Sequence, residues 1–171
     1  MALSRWAGGM VASFESIDAG LDEWSKGLDA ARSLSDVHLL VHLIVGLELH
    51  FTASRGDLDD VLGRCLAILE QAHDQHYLAG TSHLFGVTAI ILARVERAET
   101  GAQLLGSMVA HGHLPRGNAR RAIEAALGES AAEFEARGQS LSTNAAAALA
   151  CAELRAAIAE RSGGEGSTLD D

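Results

Sequence analysis

Apolar residues recur along this chain at intervals of three and four, the period that gathers them on one face of an α-helix. Residues 58–76 carry the clearest example, with Leu58, Val61, Leu62, Cys65, Leu66, Leu69 and Ala72 in one stripe and Asp59, Asp60, Arg64 and Glu70 opposite. Before it, 3–14 and 17–32 read as a first hairpin, the second helix carrying Ile17, Leu21, Trp24 and Leu28. The segment 37–54 is apolar nearly all round, as a helix buried between neighbours is. Further helices are predicted over 79–95, 98–111, 116–127 and 129–137, and from the Ser142-Thr143 cap to about Glu160. No run alternates with the period of two that marks a strand.

The punctuation between these segments is that of helical hairpins. In Gly56-Asp57 the glycine suits the left-handed turn that ends a helix, and the aspartate suits the cap that opens the next. Pro115, the single proline, breaks the pattern after His111-Gly112-His113 and stands where a new helix starts. Gly80 and Gly86 are expected to let another backbone approach. The predicted fold is all-α: antiparallel hairpins stacked as a tetratricopeptide-like right-handed solenoid over 1–160, followed by a disordered acidic tail at 161–171.

Composition agrees with closely packed helices, since 48% of residues are apolar and only 4% aromatic. The formal charge of −10, from 23 acidic against 13 basic residues, repels phosphate backbones and anionic lipid, so neither nucleic acid nor membrane is the expected partner. The longest apolar run, 37–51, is interrupted by His38, His42, Glu48 and His50, so no membrane span is expected. The first 14 residues lack the apolar core of a signal peptide. Cys65 and Cys151 sit in apolar helical stretches and read as buried free thiols of a cytoplasmic protein.

Two phrases carry a resemblance. Leu127-Gly128-Glu129-Ser130, Glu135-Ala136-Arg137-Gly138-Gln139-Ser140-Leu141-Ser142 and then Ala145 resemble the closing block of the helical C-terminal region of actinobacterial LuxR-type and AfsR-like ATPase regulators. Ala102-Gln103-Leu104-Leu105-Gly106 is similar to that family's Ala-x-Leu-Leu-Gly helix. The resemblance spans most of 20–158 and implies the sensor arm of a transcriptional regulator, which binds a protein partner or small effector without a cofactor or reaction of its own. The chain departs from the family in three ways. Glu96-Arg97 stands where members tend to place Gly-Asp before the Leu-Leu-Gly helix, and Ala132, with Phe134 two positions on, stands near the usual aromatic. There is also neither a phosphate-binding loop nor a basic helix-turn-helix segment.

The chemically versatile residues are few. His38 and His42 form an i,i+4 pair able to supply two metal ligands, although no second pair is visible; the alternative reading is two polar contacts at a hairpin seam. His73 and His76 fall at a helix end and read as caps. Arg116, Arg120 and Arg121 form the basic cluster, suited either to an anion or partner contact or to neutralising nearby glutamates. Trp6 reads as core, or as an interface anchor if exposed. No set of residues forms a catalytic constellation. The leading expectation is a non-enzymatic interaction or effector-sensing module. The alternatives are a small metal- or ligand-binding protein or enzyme built on the histidines, and a degenerate stand-alone remnant.

Overall fold

The computed structural model describes residues 8, 12, 19–20, 22–23, 25–27, 52–53, 56–74, 78–115 and 117–164. Every regular element among them is helical, in agreement with the all-α expectation. The chain divides into two compact units, 1–52 and 53–171.

In the first unit, residues 19–20, 22–23 and 25–27 are helical, and so are 8 and 12. Lys26 reaches back along its own helix to Asp22 and, at 3.2 Å, to Glu23. Trp6, Trp24, His38 and His42 lie outside the described residues, as does most of the predicted helix 37–54.

The second unit contains α1 (Leu58–Asp74), α2 (Leu78–Arg94), α3 (Ala98–Ala110), α4 (Gly117–Leu127), a short 3-10 turn (Gly128–Ser130), α5 (Ala131–Gly138) and α6 (Thr143–Gly164). The helix starts follow the capping chemistry read from the sequence. The Asp57 carboxylate accepts the N–H groups of Asp59 and Asp60 at 3.0 and 3.1 Å, and Ser142 Oγ accepts that of Ala145 at 3.2 Å.

The helix ends repeat one geometry on two different residues. After α3, Gly112 takes φ +80, its N–H bonds Val109 O at 3.1 Å, and the N–H of His113 bonds Met108 O at 2.9 Å. After α2 the same turn is made by Glu96 at φ +61, with the N–H of Arg97 on Leu92 O at 2.9 Å. Arg97, at the head of α3, makes no side-chain cap.

Helices α2 and α3 form the centre. α2 packs on α1, α3, α4 and α6; α3 packs on α2, α4, α5 and α6. α6 returns to lie against α1, α2 and α3, a closure between distant parts of the chain that the hairpin pattern does not predict. The core holds Leu62 and Leu69 of α1, Leu84, Phe85, Ile91 and Leu92 of α2, Leu104 and Leu105 of α3, and Ile123 of α4. Ile68 is buried on the stripe of α1, whereas Leu66 is only half-buried at its edge.

Three helical glycines permit the closest approaches. A Cβ on Gly106 of α3 would overlap the carbonyl of Glu135 in α5, and one on Gly138 of α5 would overlap the carbonyl of Gln103 in α3. A Cβ on Gly101 would come within 2.6 Å of Ile123 Cδ1 and 3.1 Å of Ala89 O. Gly86 instead faces the Met108 side chain at ordinary contact distance, so the backbone approach expected there occurs elsewhere.

One further boundary differs from expectation. α6 runs to Gly164 through the start of the expected tail, because Arg161 pairs with Asp59 of α1 and the Ser162 hydroxyl donates to Ile158 O at 3.0 Å. Gly138 is the last helical residue of α5, where the sequence ends that helix, and the chain continues through Gln139 in right-handed geometry.

Candidate functional site: the groove between α2 and α4

Because α4 turns Ala119 and Ile123 into the core, Ala122, Ala125 and Ala126 face sideways, toward Ile90, Ala93 and Arg94 of α2. None of the alanines extends beyond Cβ, so the two helices leave a shallow depression of about 410 Å³, open along its length. Ala93 and Ala126 also border a second hollow of about 480 Å³ at the C-terminal ends of both helices, where Glu96, Arg97, Glu99, Thr100, Leu127 and Glu153 gather. The two hollows therefore adjoin at Ala93 and Ala126, the one alanine-floored along α4 and the other polar, at its mouth.

The cations beside this groove are already engaged. Arg94, which lines the groove, donates Nη1–H to Ala53 O at 2.6 Å and Nη2–H to Gly56 O at 3.2 Å, which fixes the turn leading into α1. Arg97 grips α6, with Nη1 2.5 Å from Glu153 Oε2 and Nη2 2.5 Å from Glu160 Oε1. Hydrogen bonding to Glu160, and then to Glu153, raises the guanidinium pKa above its already high ordinary value, so the charge is permanent. The Nε–H of Arg97 is buried with no partner among the described residues. Glu96 and Glu99 are exposed at the mouth and make no ion pair among the described residues.

The described residues among those singled out from the sequence do not converge on one place. Arg120 bonds Glu135 of α5 at 3.3 Å, bridging the two helices. Arg121 Nη1 lies near the start of α4, 3.6 Å from where a side chain on Gly117 would begin. Arg116 is outside the described residues. His111 places Nδ1 2.7 Å from Ser107 O, a local bond at the end of α3. His73 stands in the last turn of α1, the position read from the sequence, and keeps a buried Nδ1 with no partner among the described residues. Among the described residues no three His, Cys, Asp or Glu side chains stand together to hold a metal ion.

Both cysteines are free and buried. Cys65 Sγ lies 3.3 Å from Thr88 Oγ1, which itself donates to Leu84 O at 2.8 Å. Burial pushes the Cys65 thiol from an ordinary value of 9.0 up to about 12, and burial also raises Cys151, so both are neutral near pH 7.

The sequence reading missed this groove. Its floor is alanine, which reads only as good helix former, and Arg97 stood out merely as a poor cap. A cluster of small residues on the outer side of 122–126 was the one available signal. No described helix is long and apolar enough to cross a membrane. No protein-family model, curated protein or solved structure matches the chain.

Proposed function

We propose that this chain is a non-enzymatic helical-repeat interaction module of the cytoplasm, its hairpins stacked as in a tetratricopeptide-like solenoid and closed by α6. Its binding face is the groove between α2 and α4. The carrying observation is that groove itself: an open, alanine-floored hollow adjoining a polar one, with the neighbouring arginines tied into the scaffold. An open channel suits a segment of another protein better than an enclosed small molecule, which binds by burying most of its surface. The relation to LuxR-type and AfsR-like regulators rests on the two sequence phrases around Ala102–Gly106 and Leu127–Ala145.

The experiment is site-specific photo-crosslinking in the native cell, with a photoreactive residue at Ala125 in the groove or at Ala152, an exposed residue of α6. A discrete adduct from Ala125 and none from Ala152 is the expected result. Equal adducts from both positions, or none from either, contradict the reading.

A further inference from the structure

The charge at the groove specifies its occupant. We infer that the segment seated between α2 and α4 is a basic amphipathic helix of a partner protein, its apolar side chains over Ala122 and Ala125 and its cationic end at the Glu96/Glu99 mouth. This inference rests on reading the groove as a docking face.

Three observations converge on it. First, Glu96, Glu99 and Glu153 line the mouth with Arg97 as its cation, and the Glu96 and Glu99 carboxylates make no ion pair among the described residues. The side-chain charge at the mouth is therefore negative, and stays so with the Arg94 charge beside it counted, on a chain of net charge −10. Second, α2 and α4 both end at this mouth, and helix C-termini favour cations. The N-terminus of α3 opposes them, which leaves two C-terminal ends against one N-terminal end at the mouth. Third, Glu96 holds a left-handed conformation that a side chain adopts only at a cost, where glycine makes the same turn at Gly112 without one. What Glu96 supplies in return is a carboxylate at the mouth, in keeping with strain retained at a binding site.

Geometry sets the form of the occupant. Ala122, Ala125 and Ala126 lie on adjacent turns of one helix face with nothing above Cβ, so they leave the hollow that leucine-sized side chains at i, i+3 and i+4 of a second helix fill. Since Arg121 lies back toward Gly117 at the opposite end of α4, the charge along the groove is polar, and the basic end of the guest faces Leu127 rather than Gly117.

The test uses two synthetic helical peptides with one apolar pattern, one carrying lysines and one glutamates on the polar face, titrated by fluorescence anisotropy. The Leu/Lys peptide is expected to bind and the Leu/Glu peptide to show no binding. Ala126→Arg, and independently Ala125→Arg, should each weaken binding by at least about tenfold, by filling the groove and adding a like charge. Glu96→Gln with Glu99→Gln should weaken it by about three- to tenfold. Asp60→Asn with Glu133→Gln, which removes the same net charge from exposed sites on α1 and α5, should leave it unchanged. Absence of Leu/Lys binding overturns the inference. So does binding insensitive to both groove substitutions, or equal weakening by the two charge-neutralised pairs, which would mark attraction to the acidic surface as a whole. A discrete crosslink from Ala125 in the cell with no preference for the Leu/Lys peptide would keep the docking face and remove only its basic guest.

Discussion

Glu96 is the residue at which the proposed docking face and the stability of the fold pull in opposite directions. The turn after α2 requires a left-handed residue, and a side chain there costs about 1–2 kcal/mol relative to the right-handed conformation. Glycine removes that penalty and returns part of it as unfolded-state entropy, so Glu96→Gly is expected to stabilise the fold by about 0.5–1 kcal/mol. The denaturant midpoint should rise with an unchanged slope. The same change removes a carboxylate from the mouth, so affinity for a basic helix should fall while stability rises. A variant with both quantities raised would disconnect this turn from binding.

At the scale of elements, the contact between α3 and α5 is made backbone to backbone, each helix offering a glycine to a carbonyl of the other. Gly106→Ala drives a methyl into the Glu135 carbonyl, which α5 can relieve only by moving, and an overpacking loss of about 1–3 kcal/mol or more is expected. Gly63→Ala on the outer face of α1 is the internal control, because a Cβ there meets nothing and helix propensity alone should stabilise by about 0.5–1 kcal/mol. Chemical unfolding of the two variants distinguishes packing from propensity, and a Gly106→Ala protein as stable as the parent would refute the close contact. The sequence made the helices legible because their causes are local: the apolar period of α1, the Asp57 and Ser142 caps and the Pro115 break all act within a few residues. It did not reveal that Gly101, Gly106 and Gly138 rather than Gly86 mark the close approaches, or that Ile68 outranks Leu66 in the core, because both depend on which helix lies opposite. The return of α6 onto α1 and the groove of alanines were hidden for the same reason. An alanine looks alike in sequence whether it faces a neighbour, water or a vacant channel.

Over the whole molecule, charge is sorted rather than spread. Arg155 reaches Glu70 at 2.6 Å, Arg161 reaches Asp59, and Arg97 holds Glu153 and Glu160, so arginines are used to fasten α6 to the body. Exposed pairs of this kind stabilise little individually, and their larger effect is to leave unbalanced acid elsewhere, including at the groove mouth. The account therefore stands on where a partner binds, and methyl NMR of the chain titrated with the Leu/Lys peptide measures that position directly. The shifts should concentrate on the methyls of Ile90, Ala93, Ala122, Ala125 and Ala126, while those of the α6 core residues Ala146, Ala147 and Ala150 stay in place. Shifts scattered over the acidic surface, or centred on a face away from α2 and α4, would contradict it.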